Sequence, residues 1–465
     1  MNIYFSVGKE GCFLKILIAG YGMVGETLAH ELARSGHDLT LMDSDRQVLE
    51  AGMERDDVMA VQGNCASMRT LRQAGVESAD LLIATTGSDE LNLLCCMTAH
   101  VMNPRLHTIA RIRNPEYAEQ AYRLRDALAL SMAFNPEHQT ALEISRLLKF
   151  PGFFKRDSFA KGRVEIVEIR VEAGSRLVSV PLYNLNGIVK CRVLVCTVLR
   201  GGKAITPRGD FVLQEGDRLF VTAPSNDLAL LLKNLEIVTH KIRRVMIAGG
   251  GTIAYYLTEL LRENQMEITI VEPSRARCEE LAAAFPYAEI ICGDPRDKSL
   301  LEEQGIGTTD ALIALTESDE LNMVISLYGH SCKIPQVVTR MEDLAGFGIT
   351  DALPLGSVLS PGHLSCSNIL RYVRALQNQS GAALTIHSIA DGQAEAMEFR
   401  VDENTLNCGV PLKKLKLKKN VLLVCISRGT KSQIPNGDST FDVGDLVLVV
   451  AGEGTVIEHI NDIFV

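Results

Sequence analysis

The chain of 465 residues has no tryptophan, few other aromatic residues and no excess of basic charge. Its formal net charge of −10 argues against non-specific binding to nucleic acid or to anionic lipid. No apolar run reaches the roughly 18–20 residues that a membrane-spanning helix needs. The first 13 residues lack the basic start and the cleavage site of a signal peptide. We therefore expect a folded cytoplasmic protein that binds no nucleic acid.

The twelve cysteines form no Cys-x-x-Cys pair, which argues against a zinc site and a thioredoxin-type centre. We expect them to be small buried side chains in a reducing compartment. The ten histidines are scattered, and none recurs in both halves beside a carboxylate or an arginine. A nicotinamide-dependent dehydrogenase needs a proton donor or acceptor beside its substrate. The sequence therefore predicts no metal site and no catalytic residue.

One local exception to the acidic balance is the segment PLKKLKLKKN at 411–420. We interpret it as a solvated edge strand that lysines protect from pairing with another chain. A docking patch for an acidic partner or a membrane surface is the alternative interpretation.

What the chain does contain is a glycine-rich signature. In the segment ILIAGYGMVG, Gly20, Gly22 and Gly25 form a G-x-G-x-x-G pattern, and Asp43 follows it. In such a pattern Gly20 permits the tight turn, Gly22 lets the backbone approach a pyrophosphate, and Gly25 allows close helix–sheet packing. A carboxylate at the end of the second strand accepts hydrogen bonds from ribose hydroxyls and repels a 2′-phosphate. Asp43 therefore favours NAD(H) over its phosphorylated relative.

The signature returns in the second half as VMIAGGGTIA. Gly249, Gly251 and Ala254 take the places of the three glycines, and Glu272 follows Gly249 at the spacing that separates Asp43 from Gly20. A lone glycine pattern is weak evidence, but a duplicated strand, turn, helix, strand and carboxylate is specific. An arginine three residues after each carboxylate leaves room for the alternative that a 2′-phosphate is accommodated.

The duplication covers most of the chain. The five residues SDELN occur at 88–92 and again at 318–322, and paired Gly-Asp turns recur near the end of each half. Continuous apolar runs alternate with helical stretches, as in parallel sheets that helices cover on both faces. The fold class is therefore α/β, with two doubly wound Rossmann-like N-lobes, each followed by a small α+β C-lobe, arranged as an internal duplication.

Six segments follow from this pattern. We predict a first Rossmann-type N-lobe at 15–134, a crossover helix and linker at 135–158, a first C-lobe at 159–238, a second N-lobe at 242–358, a second crossover helix and linker at 359–380, and a second C-lobe at 383–465.

Polar side chains follow the ends of the predicted third, fourth and fifth strands, where ligands of such sheets bind. Asn64 is predicted to meet the adenine edge, and Thr86 and Gly87 to line the crevice. Arg111 ends the fifth strand, where it contacts phosphate or forms a surface salt bridge. The predicted cofactor-binding residues are Gly20, Tyr21, Gly22, Met23, Val24, Gly25, Asp43, Asn64, Thr86, Gly87 and Arg111, and in the second half Gly249, Gly250, Gly251, Thr252, Ile253, Glu272, Asp294, Thr316 and Arg340.

These motifs carry a family resemblance. From about Lys15 to its end the chain resembles the bacterial Trk-system potassium uptake regulators, which are built from tandem RCK (KTN) domains. The segments IAGYGMVG, VQGNC, TTGSDELN and RIRNPEY, with their second-half partners, support the likeness. The resemblance implies a regulatory subunit on the inner face of the membrane, attached to a potassium channel subunit of the TrkH or TrkG type. It also implies N-lobes that bind NAD(H), ATP or ADP and assemble as a homo-oligomer, a dimer or tetramer, in a gating ring.

Two other functions stay open at this point. One is an NAD-dependent oxidoreductase, which would transfer hydride to a substrate. The other is a nucleotide sensor that acts on a different membrane transporter or channel.

Overall fold

Six parallel strands form the sheet of the first N-lobe. In the computed structural model, residues 13–125, 127–149, 156–159, 164–235, 242–342, 353–376, 383–390, 393–429, 431–452, 455, 457 and 459–465 are described. The strands are β1 (Lys15–Ala19), β2 (Asp38–Asp43), β3 (Met59–Gln62), β4 (Leu81–Ala84), β5 (His107–Arg111) and β6 (Met132–Phe134). The helices are α1 (Met23–Arg34), α2 (Arg46–Arg55), α3 (Met68–Gln73), α4 (Asp89–Met102) and α5 (Pro115–Arg123). The sheet order is β3-β2-β1-β4-β5-β6, so the direction of strand addition reverses between β1 and β4.

The second N-lobe repeats this topology. Its strands are β12 (Arg244–Ala248), β13 (Glu267–Glu272), β14 (Glu289–Cys292), β15 (Ala311–Ala314), β16 (Gln336–Arg340) and β17 (Ser357–Leu359). Its helices are α9 (Thr252–Leu261), α10 (Arg275–Ala284), α11 (Lys298–Glu303) and α12 (Asp319–Ser331). The order β14-β13-β12-β15-β16-β17 is that of the first sheet, and all its pairs are parallel. The predicted pair of doubly wound lobes is confirmed.

Each N-lobe is followed by a small antiparallel sheet. The first C-lobe contains β7 (Arg156–Phe159), β8 (Val164–Arg170), β9 (Leu194–Arg200), β10 (Lys203–Ile205) and β11 (Arg218–Pro224), with α7 (Leu185–Val189) and α8 (Ser225–Asn234). The second contains β18 (Ala383–Ile389), β19 (Ala394–Arg400), β20 (Val421–Arg428), β21 (Lys431–Gln433) and β22 (Leu446–Gly452). Equivalent strands occupy equivalent places in the two sheets. Side chains of both sheets, including Phe220 and Val450, share one buried apolar cluster.

Two long helices connect the lobes: α6 (Pro136–Lys149) and α13 (Pro361–Leu376). The chain divides into two compact units, the first with residues 1–140 and 360–370, the second with 141–359 and 371–465. Within the second unit, Ile144 and Leu148 of α6 belong to the buried core that includes Leu257 of α9. The first turns of α13 belong instead to the unit of the first N-lobe.

The lysine-rich segment is not an edge strand, so that prediction is wrong. Leu412–Lys414 forms a single 3₁₀ turn, and Leu417 makes one isolated bridge with Phe464. The backbone N–H of Lys418 donates to the carbonyl of Ile463, 2.8 Å away. The segment is held by the chain's last residues, and its lysines are exposed on an irregular surface.

Candidate nucleotide-binding crevices

The glycine loops lie against the start of the loop that follows the fourth strand. Gly20 has φ +94° and Gly249 has φ +105°, a left-handed conformation that favours glycine. A Cβ atom at Gly20 would lie 2.7 Å from the backbone nitrogen of Thr86. At Gly25 a Cβ would lie 2.1 Å from the carbonyl oxygen of Gly20, so this glycine permits the close helix–sheet approach. At Gly22, by contrast, a Cβ would have no atom within 4 Å, so space for a ligand lies beside it.

Helices α1 and α9 begin at these loops without a side-chain cap. Their N-cap residues are Gly22 and Gly251, and neither first turn receives a side-chain hydrogen bond. The helices after the second strands differ, because Asp45 and Ser274 cap them. Uncapped N–H groups and the positive end of the helix dipole make a helix start a binding site for phosphate. Met23, Val24, Thr252 and Ile253 open these first turns.

Asp43 and Glu272 each brace the glycine loop as well as facing the crevice. The Asp43 carboxylate accepts hydrogen bonds from the N–H groups of Tyr21, at 2.8 Å, and Asp45, at 3.0 Å. Glu272 accepts from Gly250, at 2.7 Å, and Ser274, at 2.8 Å. An ionised carboxylate has about four lone-pair sites, so capacity for ribose hydroxyls remains on both oxygens. Both carboxylates are therefore held in position by backbone donors before any ligand binds.

The asparagine of the repeated SDELN element forms hydrogen bonds at the base of each crevice. The buried amide of Asn92 accepts hydrogen bonds from the N–H and the hydroxyl of Thr86, at 2.8 and 2.7 Å. It donates to the carbonyl of Arg111, 3.0 Å away. Asn322 makes the same three contacts with Thr316 and Arg340. The amide thus joins the end of the fourth strand to the end of the fifth, a role that sequence reasoning missed although it found the repeat.

The first two residues of the element have separate tasks. Ser88 caps α4, because its hydroxyl accepts a hydrogen bond from the N–H of Leu91. Asp89 instead accepts hydrogen bonds from the N–H groups of Arg113 and Asn114, both at 2.8 Å. In the second lobe Ser318 caps α12, and Asp319 accepts from the N–H of Glu342. The loop after each fifth strand is therefore fastened to the helix that precedes the strand.

Arg111 and Arg340 lie mostly buried at the crevice, not on the outer surface. The Arg111 guanidinium forms an ion pair with Glu137, at 2.9 Å, and the two side chains are 17% and 15% exposed. Arg340 donates to the carbonyl of Thr316, at 2.9 Å, and pairs with Glu342. Among the residues that the structure describes, the Nε atoms of both arginines are buried and lack a hydrogen-bond partner. A buried donor without a partner is costly, so each arginine retains capacity for an anionic ligand.

The second residue of the glycine loop differs between the lobes, and a residue of the following helix compensates for the difference in size. Tyr21 is 5% exposed and packs on Gly52 of α2, where a Cβ would lie 2.9 Å from its ring. The second lobe has Gly250 at the loop position, and Leu281 of α10 fills the space above it. Burial and the nearby carboxylates Glu26 and Asp56 raise the pKa of Tyr21 to about 12, so its hydroxyl stays neutral. Tyr21 therefore supports the loop from behind.

The remaining predicted positions lie at the outer edge of each crevice. Asn64 follows β3, is exposed, and accepts a hydrogen bond from the N–H of Ala66. Asp294 is held by Arg296, whose guanidinium lowers the pKa of that carboxyl. Gly87 is exposed beside Thr86. Each lobe thus brings its own predicted residues around the carboxyl ends of the central strands, where doubly wound sheets bind ligands.

The described residues contain neither a cluster of metal-binding side chains nor a membrane-spanning helix. No group of three or more His, Cys, Asp or Glu side chains within them is placed to hold a metal ion. Within the same residues, no helix combines the length and the apolar character needed to cross a membrane.

The fold and the two crevices define a duplicated Rossmann-type nucleotide-binding protein with paired C-lobes. The chain matches the TrkA-N domain at residues 16–132 and 245–360, and the TrkA-C domain at residues 166–236 and 396–463. The Trk system potassium uptake protein TrkA homolog of Archaeoglobus fulgidus is 33% identical over 453 residues, which cover 97% of this chain and 100% of that protein. The Trk system potassium uptake protein TrkA of Haemophilus influenzae is 28% identical, with 97% and 98% covered. The chain belongs to the TrkA family.

Solved structures share the fold. The crystal structure of the GsuK RCK domain superposes with a TM-score of 0.60 at 17% identity, covering 96% of this chain and 93% of that one. The GsuK channel bound to NAD superposes with a TM-score of 0.59 at 17% identity, with 96% and 78% covered. At this level of identity the likeness concerns the fold, and it confirms the predicted order of N-lobe and C-lobe.

Proposed function

We propose that the protein is the nucleotide-binding regulatory subunit of a potassium uptake system and that NAD(H), held in its N-lobes, switches a membrane channel subunit. The observation that carries this proposal is the pair of uncapped helix starts, each beside a braced carboxylate and a buried arginine with an unpartnered donor. The helix starts match the pyrophosphate of a dinucleotide, the carboxylates match its adenosine ribose, and each arginine adds positive charge for the pyrophosphate. ATP and ADP share the adenosine and phosphate groups and are alternative ligands.

Residues of this chain would hold the ligand without reacting with it. The backbone at Gly22 and Gly251 receives the pyrophosphate, and Asp43 and Glu272 receive the adenosine ribose. Arg111 and Arg340 add positive charge that favours the pyrophosphate. No side chain of the crevices is proposed to transfer a proton or to attack a substrate.

The proposed mechanism is a shift between two arrangements of the lobes. A nucleotide changes such a balance only by the difference in its affinity for the two arrangements. A difference of about 1–3 kcal/mol would change channel opening about 5- to 150-fold. The long helices α6 and α13 are suited to transmit the shift, because each begins at one N-lobe and continues into the other unit.

The assembly that we propose is a homo-oligomer around the channel, on the inner face of the membrane. An apolar residue is exposed at equivalent positions of the two N-lobes, Leu94 at 53% and Val324 at 62%. On α4, Met97 and Val101 extend this exposed stripe along the same side of the helix. Exposed apolar stripes of this kind are typical of surfaces that contact another subunit. Symmetric assembly is also the usual state of homo-oligomers.

The test of nucleotide binding is the variant Asp43→Asn. The amide keeps one carbonyl oxygen for the loop N–H groups but loses the charge that the ribose hydroxyls favour. We expect the first site to bind NADH about tenfold more weakly, measured by calorimetric titration of the full chain, with unfolding by urea little changed. Asp43→Ala is less suitable, because it removes both braces of the glycine loop.

The matched control is Asp80→Asn. Asp80 also accepts a hydrogen bond from a backbone N–H, that of Lys15, but at the amino ends of the strands, away from the crevice. It should leave NADH affinity unchanged. Unaltered binding in Asp43→Asn would contradict the assigned role, and steady oxidation of NADH in the presence of a carbonyl panel would favour an oxidoreductase instead.

A further inference from the structure

The two N-lobes differ in charge where the nicotinamide half of a dinucleotide would lie. The carboxylate after the second strand places the adenosine half over β2 and β13. The sheet order reverses between β1 and β4, and the dinucleotide crosses the crevice at that point. The nicotinamide half therefore extends over the ends of the fourth and fifth strands. Residues after these strands face its ring, whose charge is +1 in NAD⁺ and zero in NADH.

In the first lobe this edge has an arginine and open space beside it. Gly87 follows the fourth strand, and a Cβ there would have no atom within 4 Å. The guanidinium of Arg113 donates to the carbonyl of Gly87 and lies 3.8 Å from the Asp89 carboxylate. The Arg113 side chain is 38% exposed, so its charge reaches the crevice mouth. Arg113 lies beside Asp89, and Arg111 is paired with Glu137, so this edge is close to neutral.

The second lobe presents acids at the same two positions. Glu317 replaces Gly87 and is exposed, in a place where the first lobe has open space. Glu342 replaces Arg113 and pairs with Arg340, as Glu137 pairs with Arg111 in the first lobe, so the second lobe lacks the additional guanidinium that Arg113 provides. The Glu342 side chain is 14% exposed, so its charge is only partly screened by water. This edge favours a positive ring.

We propose that the second site favours NAD⁺ over NADH more strongly than the first site does. The acidic edge of the second lobe selects the positive ring, whereas the near-neutral edge of the first lobe discriminates little, with Arg113, Glu317 and Glu342 as the residues that set the difference. The inference depends on the proposed function, since it concerns the ligand of the same crevices. It makes the chain responsive to the ratio of the two forms, because that ratio decides which form fills the second site.

The test isolates one site at a time in the full chain. Gly251→Val leaves the first site and Gly22→Val leaves the second, because valine would occupy the space that the pyrophosphate needs while touching no protein atom within 4 Å of its Cβ. Calorimetric titration with NAD⁺ and NADH gives both affinities for each single-site protein. We expect a preference of about threefold to tenfold for NAD⁺ in the second site, as one screened charge pair provides, and little preference in the first.

Charge removal then identifies the residues. In the Gly22→Val background, Glu317→Gln and Glu342→Gln together should abolish the NAD⁺ preference. In the Gly251→Val background, Arg113→Gln should introduce a preference for NAD⁺, because the Asp89 carboxylate then lacks its neighbouring cation. Glu303→Gln is the control, since Glu303 is exposed at the end of α11, where the chain leads to the amino end of β15.

Each outcome decides something. Equal preferences in the two single-site proteins, or preferences that the glutamine variants leave unchanged, would overturn this inference while nucleotide binding stands. Failure of the unaltered chain to bind either form would overturn the proposed function as well.

Discussion

Single residues show how the two copies of the N-lobe diverged without losing the glycine loop. Tyr21 with Gly52 in the first lobe corresponds to Gly250 with Leu281 in the second, so the large and the small residue have exchanged places. The space behind the loop is filled in both cases, once from the loop and once from the following helix. Interiors are close-packed, and volume is better conserved than identity when neighbours change together.

This exchange predicts a double-mutant cycle. Gly52→Leu places a side chain against the Tyr21 ring and should lower the free energy of unfolding by about 1–3 kcal/mol. Adding Tyr21→Gly should recover part of that loss, because the pair then matches the second lobe. The coupling between the two sites should be at least about 1 kcal/mol by urea denaturation.

Met53→Leu, an exposed change one residue along α2, is the control and should have little effect. Additive losses in the double variant would mean that Tyr21 and Gly52 do not share the space as described.

The elements of each C-lobe are joined by an ion pair between a buried aspartate and a more exposed arginine. Asp217 is 1% exposed and accepts two hydrogen bonds from Arg200 of β9, both at 2.7 Å, and one from the N–H of Gln214. In the second C-lobe, Asp445 makes the equivalent contacts with Arg428 and the N–H of Asp442. The paired Gly-Asp turns of the sequence therefore have different tasks. The second aspartate of each pair joins a turn to a neighbouring strand.

Asp217→Asn should destabilise the protein, since it leaves the Arg200 guanidinium without its counter-charge. We expect a loss of about 2–3 kcal/mol in thermal or urea unfolding, below the cost for a fully buried pair because Arg200 is 29% exposed. The first aspartate of the pair provides the comparison: Asp210 is exposed, and Asp210→Asn should cost little. Similar losses in the two variants would show that the pair between Asp217 and Arg200 adds no more stability than an exposed carboxylate does.

In the whole molecule, neither compact unit is a single continuous segment of the chain. Residues 360–370 belong to the unit of the first N-lobe, and residues 141–149 to the other unit. The two C-lobe sheets also share one core within the second unit. Each half of the duplication is therefore incomplete alone, since part of its buried surface is covered by residues from the other half.

For the whole molecule, the exposed apolar stripe of α4 predicts assembly into a homo-oligomer. We expect the native chain to sediment as an oligomer, and Leu94→Glu to shift it toward smaller species, because a charge would enter an apolar contact. Arg105→Glu changes charge at another exposed site near the end of the same helix and is the control. A monomeric native chain, or an unchanged sedimentation profile in Leu94→Glu, would contradict this prediction.

The sequence was sufficient for the sheets, the order of the lobes and the position of the glycine loops. These features depend on local patterns: apolar runs that mark buried strands, glycines that permit a left-handed turn, and a carboxylate at a constant distance along the chain. The duplication doubled each signal. The short sixth strands, Met132–Phe134 and Ser357–Leu359, were not separable from the sequence, because three residues carry too little periodicity.

The contacts that complete the crevices required the folded structure. The partners of Arg111, Asn92 and Asp89 lie on other elements, and their pairing depends on how strands and helices meet in space. The same applies to the exchange between Tyr21 and Gly52 and to the passage of α6 and α13 between units. Local backbone preference determines which elements form, whereas side-chain packing between distant segments decides what each polar group touches, and this information is spread along the whole chain.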